Sequence, residues 1–189
     1  MSLVRFFLIC MLILPSAFAF SQKNREGKKY IVTLQTGVNF GANTKGASFG
    51  YFINKKSILS LEFSALEGRS NDDDFEEEDN GQLYLLSYQF IPSSTFYISP
   101  SLYYLNQVKA DDFDFNADFE YRPTNKTHYT TLGIGFRIGN QWDWDNFSLA
   151  CDWAGIFREI SVIEEDGPGV DDRYPINISF LNLRLGYSF

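Results

Sequence analysis

Within the last stretch of the chain, residues 175–189, the final nine residues alternate strictly between two kinds of side chain. Every second position is aliphatic or aromatic, and the positions between are small or polar. The first set is Leu181, Leu183, Leu185, Tyr187 and Phe189, and the second is Asn182, Arg184, Gly186 and Ser188. Successive side chains of a β-strand point to opposite faces, so one face of this strand would be wholly apolar. The pattern predicts a strand between an apolar medium and a polar one.

The same period of two recurs through the chain, separated by clusters of Gly, Asn, Asp and Pro. The runs that we interpret as strands are 30–41, 47–53, 57–67, 81–91, 95–108, 127–139, 146–159 and 175–189. Most have about the ten residues that a tilted strand needs to cross a bilayer. Short turns follow the even runs, and long polar segments follow the odd ones except the first. We therefore predict an all-β protein, an eight-stranded antiparallel up-and-down transmembrane β-barrel.

Residues 1–21 have the composition of a secretory signal peptide, which would leave residues 22–189 as one barrel domain. Arg5 precedes an apolar run, Pro15 interrupts it, and small residues suited to a cleavage site follow. The run is shorter than the roughly 20 residues of a transmembrane helix. Cys10 lies inside it, which does not fit a lipoprotein cysteine. Only Cys151 would survive processing, so we expect no intrachain disulfide.

The charge balance is acidic, with 16 Lys and Arg residues against 24 Asp and Glu residues and a net charge of −8. Loss of Arg5 with the leader would make it more negative still. Nucleic acid binding needs a basic footprint, so we expect no nucleic acid partner. The rest of the sequence has no apolar stretch long enough for a transmembrane helix, so a membrane would have to be crossed by strands.

The polar faces of the predicted strands carry five charged residues that a barrel would enclose. They are Glu62, Asp152, Arg184, Arg137 and Arg158. An eight-stranded barrel is only just wide enough for side chains to fill, which favours paired charges inside. Such pairs could gate a narrow pore or simply fill the barrel. A soluble lipocalin-like carrier, with the two faces exchanged, is the alternative architecture.

Aromatic residues fall near the predicted strand ends, where a membrane barrel has its two interfacial girdles. We expect one girdle at the short-turn rim, formed by Phe90, Phe96, Trp142, Trp144, Tyr187 and Phe189. We expect the other girdle at the opposite rim, formed by Phe40, Tyr84, Tyr104, Tyr129 and Phe157.

The leader, the eight runs and the closing L-x-L-x-L-x-Y-x-F resemble the small eight-stranded outer-membrane barrels of the OmpA/OmpX type. The resemblance implies a bacterial outer membrane, with its lipid and lipopolysaccharide as surroundings. It also implies that Leu185, Tyr187 and Phe189 are the signal that the barrel assembly machinery recognises. The family shares an architecture rather than one activity. The expected function is therefore a non-enzymatic surface or envelope role, with a narrow porin-like channel as the alternative.

Acidic residues crowd three of the predicted loops, at 72–79, 111–120 and 164–172. Solvated loops that repel one another are the expected state of such runs. Residues 112–118 begin like a calcium loop, but Ala117 and Pro123 stand where Gly and Glu belong. We therefore expect no metal and no cofactor. Aromatic residues interleave with the acids in the loop 109–126, which could offer a surface to a partner or pack against neighbouring loops.

One motif has the spacing of a catalytic pair. His128 and Thr130 resemble the His-x-Ser pair of outer-membrane lipid A deacylases, which are lipid-modifying hydrolases. Threonine replaces the serine, and no strand carboxylate is an evident third member. The sequence also has no G-x-S-x-G, P-loop or H-E-x-x-H motif. We therefore expect no catalytic residues.

Overall fold

Each predicted run forms a strand in the computed structural model, which describes residues 25–40, 42–67, 80–93, 95–115, 121–166 and 176–189. The strands are β1 (Tyr30–Asn39), β2 (Ala42–Asn54), β3 (Ser57–Glu67), β4 (Asn80–Phe90), β5 (Phe96–Phe115), β6 (Tyr121–Trp144), β7 (Phe147–Asp166) and β8 (Ile176–Ser188). The predicted signal peptide, 1–21, lies outside these ranges.

The eight strands close into one barrel in which every strand pairs with its sequence neighbours. All pairs are antiparallel, and β1 completes the ring by pairing with β8 from Ile31↔Ser188 to Asn39↔Ser179. At the end of this seam the backbone amides of Lys29 and Tyr30 both donate to the carbonyl oxygen of Phe189 at 2.9 Å. The predicted fold class is confirmed.

The connections are sorted between the two rims of the barrel. The short-turn rim carries the turns β2–β3, β4–β5 and β6–β7, and the loop rim carries the other four connections. Residues 109–126, predicted as a polar segment, are mostly strand, because β5 and β6 continue as a hairpin to Phe115↔Tyr121. The side chains of 109–127, the acidic run 72–79 and the acidic side chains at 164–172 lie outside the described part of the structure.

The outward face is apolar over the height of the barrel. Large hydrophobic side chains are exposed on all eight strands, among them Leu34, Phe49, Leu61, Leu86, Leu102, Ile134, Ile156 and Leu185. Water would penalise so large a continuous apolar surface, whereas the hydrocarbon of a bilayer would not. The predicted assignment of apolar residues to the outside of the barrel is therefore confirmed for these positions.

No helix in the described ranges is long and apolar enough to cross a membrane.

A β-bulge in β7 corrects one predicted interior residue. Gly139 pairs with Asp152 and Ile138 with Ala154, so Trp153 is an extra residue in β7. An extra residue reverses which face the following side chains take. Phe157 is consequently buried inside the barrel, and Arg158 is exposed on the outside. The prediction that Arg158 is an interior charge is wrong.

The aromatic girdles are only partly as predicted. At the short-turn rim Phe90, Phe96, Trp144, Tyr187 and Phe189 are exposed, but Trp142 is buried. At the loop rim Tyr84 and Tyr104 are exposed, whereas Tyr129 and Phe157 are buried. Phe40 follows the end of β1 with a positive φ of 54°, and its ring lies 5.0 Å from that of Phe157. Part of the expected loop-rim girdle is therefore an internal aromatic cluster.

Candidate functional site

Four charged side chains meet in the middle of the barrel interior, and we call them the charge layer: Glu62, Arg137, Asp152 and Arg184. Each is at most 5% exposed. Two carboxylates and two guanidinium groups have formal charges that cancel. Burying an ion is costly unless it is paired and hydrogen-bonded, so each of these four charges depends on the presence of the others.

Arg137 is the central member of the charge layer. Both of its terminal nitrogens donate to Glu62, with Nη1 2.9 Å from Oε2 and Nη2 bonded to Oε1. Nη1 also lies 3.3 Å from Oδ2 of Asp152. Ser87 donates to Glu62 Oε1 at 3.2 Å and accepts from Arg137 Nη2 at 2.9 Å. This fork-to-fork arrangement is the strongest geometry that an arginine and a carboxylate can form.

Arg184 neutralises the second carboxylate. Its Nη2 lies 3.0 Å from Asp152 Oδ1 and 2.6 Å from the hydroxyl oxygen of Tyr97. The Tyr97 hydroxyl itself donates to Asp152 Oδ1. The guanidinium carbon also stands 5.3 Å from the centroid of the Tyr97 ring, a cation–π distance. Tyr97 therefore ties Asp152 and Arg184 together.

The strands bring these residues together because each occupies an inward position on a different part of the ring. Glu62 lies on β3, Arg137 on β6, Asp152 on β7 and Arg184 on β8. Gly155 makes room for Arg137, since a Cβ atom at that position would lie 2.8 Å from Arg137 Cγ. The bulge at Trp153 comes just after Asp152, so it leaves Asp152 inside while it turns Arg158 out.

An apolar cluster that we call the loop-side plug fills the interior between the charge layer and the loop rim. It consists of Ala42, Leu66, Leu83, Leu85, Tyr103, Leu105 and Phe157, with Phe40 packed against them. The rings of Phe40 and Tyr103 meet edge to face at 5.2 Å. An apolar cluster of this size excludes hydrated ions from the space it fills.

Polar side chains connect the charge layer to the short-turn rim. Gln89 accepts from Arg184 at 3.4 Å and donates to Gln141 Oε1 at 2.7 Å. Gln141 in turn donates to Asp143 Oδ1 at 2.9 Å. Arg25, which precedes β1, inserts its side chain here, with Nε 2.6 Å from Asp143 Oδ2. The start of the described chain therefore lies across this mouth of the barrel.

A small cavity lies on this side of the charge layer. Its volume of about 10 Å³ has room for about one water molecule. Its polar lining includes Thr33, Ser48, Gln89, Gln141 and Arg184. It offers no space for an organic ligand.

The structure brings together four of the five predicted interior charges, namely Glu62, Arg137, Asp152 and Arg184. Tyr97 and Gln89 also belong to the network, and alternation could have found them, since both flank outward-facing aromatic residues. Arg25 gives no such signal, because it lies before the first strand. The predicted assembly residues Leu185, Tyr187 and Phe189 all face outward.

His128 and Thr130, for which no catalytic role is expected, lie where β6 leaves the barrel. His128 is exposed and Thr130 is buried. The register places Asp166 opposite His128 and Glu164 opposite Thr130, so acidic positions do accompany the pair on β7.

The comparisons with known proteins concern the fold. No protein-family model and no curated protein sequence matches the chain. Among solved structures, the chain is similar to a major outer membrane protein from Thermus thermophilus, with a TM-score of 0.55 and 14% identity over 87% of this chain and 100% of that one. It is similar to the N-terminal β-barrel domain of Pseudomonas aeruginosa OprF, with a TM-score of 0.53 and 15% identity over 85% of this chain and 97% of that one.

Neisserial surface protein A (NspA) is a third similar structure. Its TM-score is 0.53, with 11% identity over 86% of this chain and 96% of that one. All three matches span nearly the whole of the known barrels. The expected resemblance is confirmed at the level of architecture: this chain has the fold of the small eight-stranded outer-membrane barrels.

Proposed function

We propose that the chain is a non-enzymatic protein of a bacterial outer membrane, closed to solutes, with a role in surface interaction or envelope integrity. The observation that carries the proposal is the apolar outer face combined with a filled interior. A lipocalin-like carrier would need a polar outer face and an open apolar pocket. Lipid and lipopolysaccharide would surround the barrel, and Leu185, Tyr187 and Phe189 would present it to the assembly machinery.

The closed state is supported by two barriers in series. An ion entering from the loop rim would meet the loop-side plug first, and then the paired groups of the charge layer. To pass either barrier, the ion would have to displace several packed or hydrogen-bonded side chains at once. The narrow-channel alternative therefore has less support than the closed barrel, although a rearranged charge layer would be its natural gate.

A surface role is supported by the part of β5 and β6 that rises above the rest of the barrel. The last β4–β5 pair is Gly81↔Gln107, whereas β5 and β6 stay paired up to Phe115↔Tyr121. Acidic residues are frequent in this hairpin and in the neighbouring loops. We propose that 109–126 is where a surface partner binds.

The test begins with the outer-membrane fraction of a Gram-negative host that expresses the full chain. An intact barrel resists detergent at room temperature, so boiled and unboiled samples should migrate differently on a gel. Planar bilayers that contain the purified protein should show no steps above the background conductance. A soluble protein without the heat shift would refute the membrane barrel, and regular conductance steps would establish the channel instead.

The lipid-modifying hydrolase is tested in the same host. Lipid A should have the same mass with and without the protein. A mass loss that depends on His128 would replace the non-enzymatic function.

A further inference from the structure

The outward-facing Arg158 is out of place on a lipid-facing surface. Apolar side chains surround it: Ile134 on β6 and Ile176 on β8 are its neighbours across the two ladders, and Ile156 and Ile160 flank it on β7. Its guanidinium makes no ion pair or hydrogen bond with any described residue. A cation within an apolar surface is unfavourable in a lipid environment unless it is paired, so this surface favours an anionic ligand beside Arg158.

The height of Arg158 on the barrel indicates where the counter-charge comes from. Arg158 pairs with Ile176, the first residue of β8, so it lies level with the loop-side end of that strand. Below it the outward face continues with Ile156 and Ile178, which pair with each other. The long stem of an arginine can carry its charged head several ångströms toward the membrane interface.

We propose that Arg158 and the isoleucines around it form a binding site for the phosphate-bearing headgroup of a membrane lipid. The guanidinium offers two parallel N–H donors, which suit two phosphate oxygens. The flanking isoleucines suit the acyl chains of the same molecule. An amphipathic anion satisfies both parts of the surface at once, and a bilayer supplies it.

The bulge at Trp153 supports this assignment, because it determines what faces the lipid. Without the extra residue, Phe157 would face outward and Arg158 would lie inside. With it, the loop-side plug gains an aromatic ring and the lipid-facing surface gains a charge. The inference rests on the proposed membrane location, and it goes beyond that proposal by naming one lipid contact.

The experiment is a lipid titration of the full chain in dodecyl maltoside micelles, followed by native mass spectrometry. The probes are dimyristoylphosphatidic acid, dimyristoylglycerol, which lacks the phosphate, and inorganic phosphate. We expect tight binding of the first probe only. The variant R158Q should bind it roughly tenfold more weakly, as expected for loss of charge-assisted hydrogen bonds. The affinity of R158K should lie between those of the wild type and R158Q, because lysine keeps the charge but lacks the two parallel N–H donors.

The matched control is K45Q. Lys45 is also an outward-facing base near the loop rim, but it is already paired with Glu67 at 2.8 Å. The K45Q variant should bind phosphatidic acid as tightly as the wild type does. Equal binding by R158Q and the wild type would overturn the inference, as would equal binding of dimyristoylglycerol or competition by inorganic phosphate. If R158Q does not refold, the three probes on the wild-type chain still decide between these outcomes.

Failure of this inference is distinguishable from failure of the proposed function. A chain that needs detergent and shows the heat shift, yet binds all probes alike, refutes only the lipid site. A chain that stays soluble without detergent refutes the membrane location itself.

Discussion

Removing one member of the charge layer should destabilise the barrel far more than removing a surface ion pair. In Glu62→Ala, Arg137 loses both of its bonds to Glu62 and keeps Asp152 at 3.3 Å and Ser87 at 2.9 Å. Asp152 would then be shared by two guanidinium groups, which leaves one uncompensated positive charge in the interior. Breaking a buried pair in this way typically costs about 3–5 kcal/mol, and we expect about 4 kcal/mol here.

Two further variants make the prediction specific. Glu62→Ala combined with Arg137→Met removes the uncompensated charge, so it should recover at least about 2 kcal/mol relative to the single variant. Lys45→Ala breaks a pair whose side chains are 67% and 52% exposed, and it should cost less than about 1 kcal/mol.

The assay is urea unfolding of the protein refolded into phospholipid vesicles, followed by tryptophan fluorescence. Trp142, Trp144 and Trp153 lie on β6 and β7, the strands that carry Arg137 and Asp152. Bilayer conductance is recorded in parallel, since a loosened layer can also open the barrel. If Glu62→Ala stays within about 1 kcal/mol of the wild type and does not conduct, the charge layer neither stabilises nor closes the barrel.

Three other perturbations test the remaining contacts. Phe157→Ala should destabilise the barrel by about 3–5 kcal/mol in the same urea assay, because it empties a fully buried position of the loop-side plug. Gly135→Ala should cost about 1–3 kcal/mol, because its Cβ atom would lie 2.5 Å from Phe157 Cε1 and 2.8 Å from Ser101 Oγ. Arg25→Ala removes the ion pair to Asp143, so limited proteolysis of the folded protein should cut the segment before β1 faster than in the wild type.

Each of these predictions has its own control. Leu102→Ala removes an outward-facing side chain that is 58% exposed and should cost much less than Phe157→Ala. If the cost of Gly135→Ala combined with Phe157→Leu equals the sum of the costs of the two single variants, overcrowding is not the cause. Arg25→Lys should keep most of the protection from proteolysis, and a cutting rate equal to that of Arg25→Ala would speak against the ion pair.

Alternation along the sequence was sufficient to predict the strands and most of their faces. The period of two is directly readable wherever a strand is regular, as in β3 and β4. It also placed Glu62, Arg137, Asp152 and Arg184 inside the barrel. It did not show which of these side chains pair with each other. Pairing depends on the stagger of strands that are distant in sequence, which no local pattern records.

The errors of prediction follow from local breaks in that alternation. One extra residue at Trp153 exchanged the faces of Phe157 and Arg158. A positive φ at Phe40 turned its ring into the barrel. Neither break is visible in the alternation itself, so Phe40 and Phe157 were missing from the predicted interior.

The seam between β1 and β8 has a consequence for the order of folding. Each of the other seven strand pairs joins neighbours in sequence and can form as a local hairpin, but Tyr30 and Phe189 meet from opposite ends of the described chain. Closing so long a loop costs chain entropy before any contact offsets that cost. The pairing of β1 with β8 should therefore be the slow step. Until β1 and β8 pair, an open eight-stranded sheet exposes two edges that can pair with another copy. Aggregation during assembly should therefore be governed by how long this open sheet persists before β1 and β8 pair.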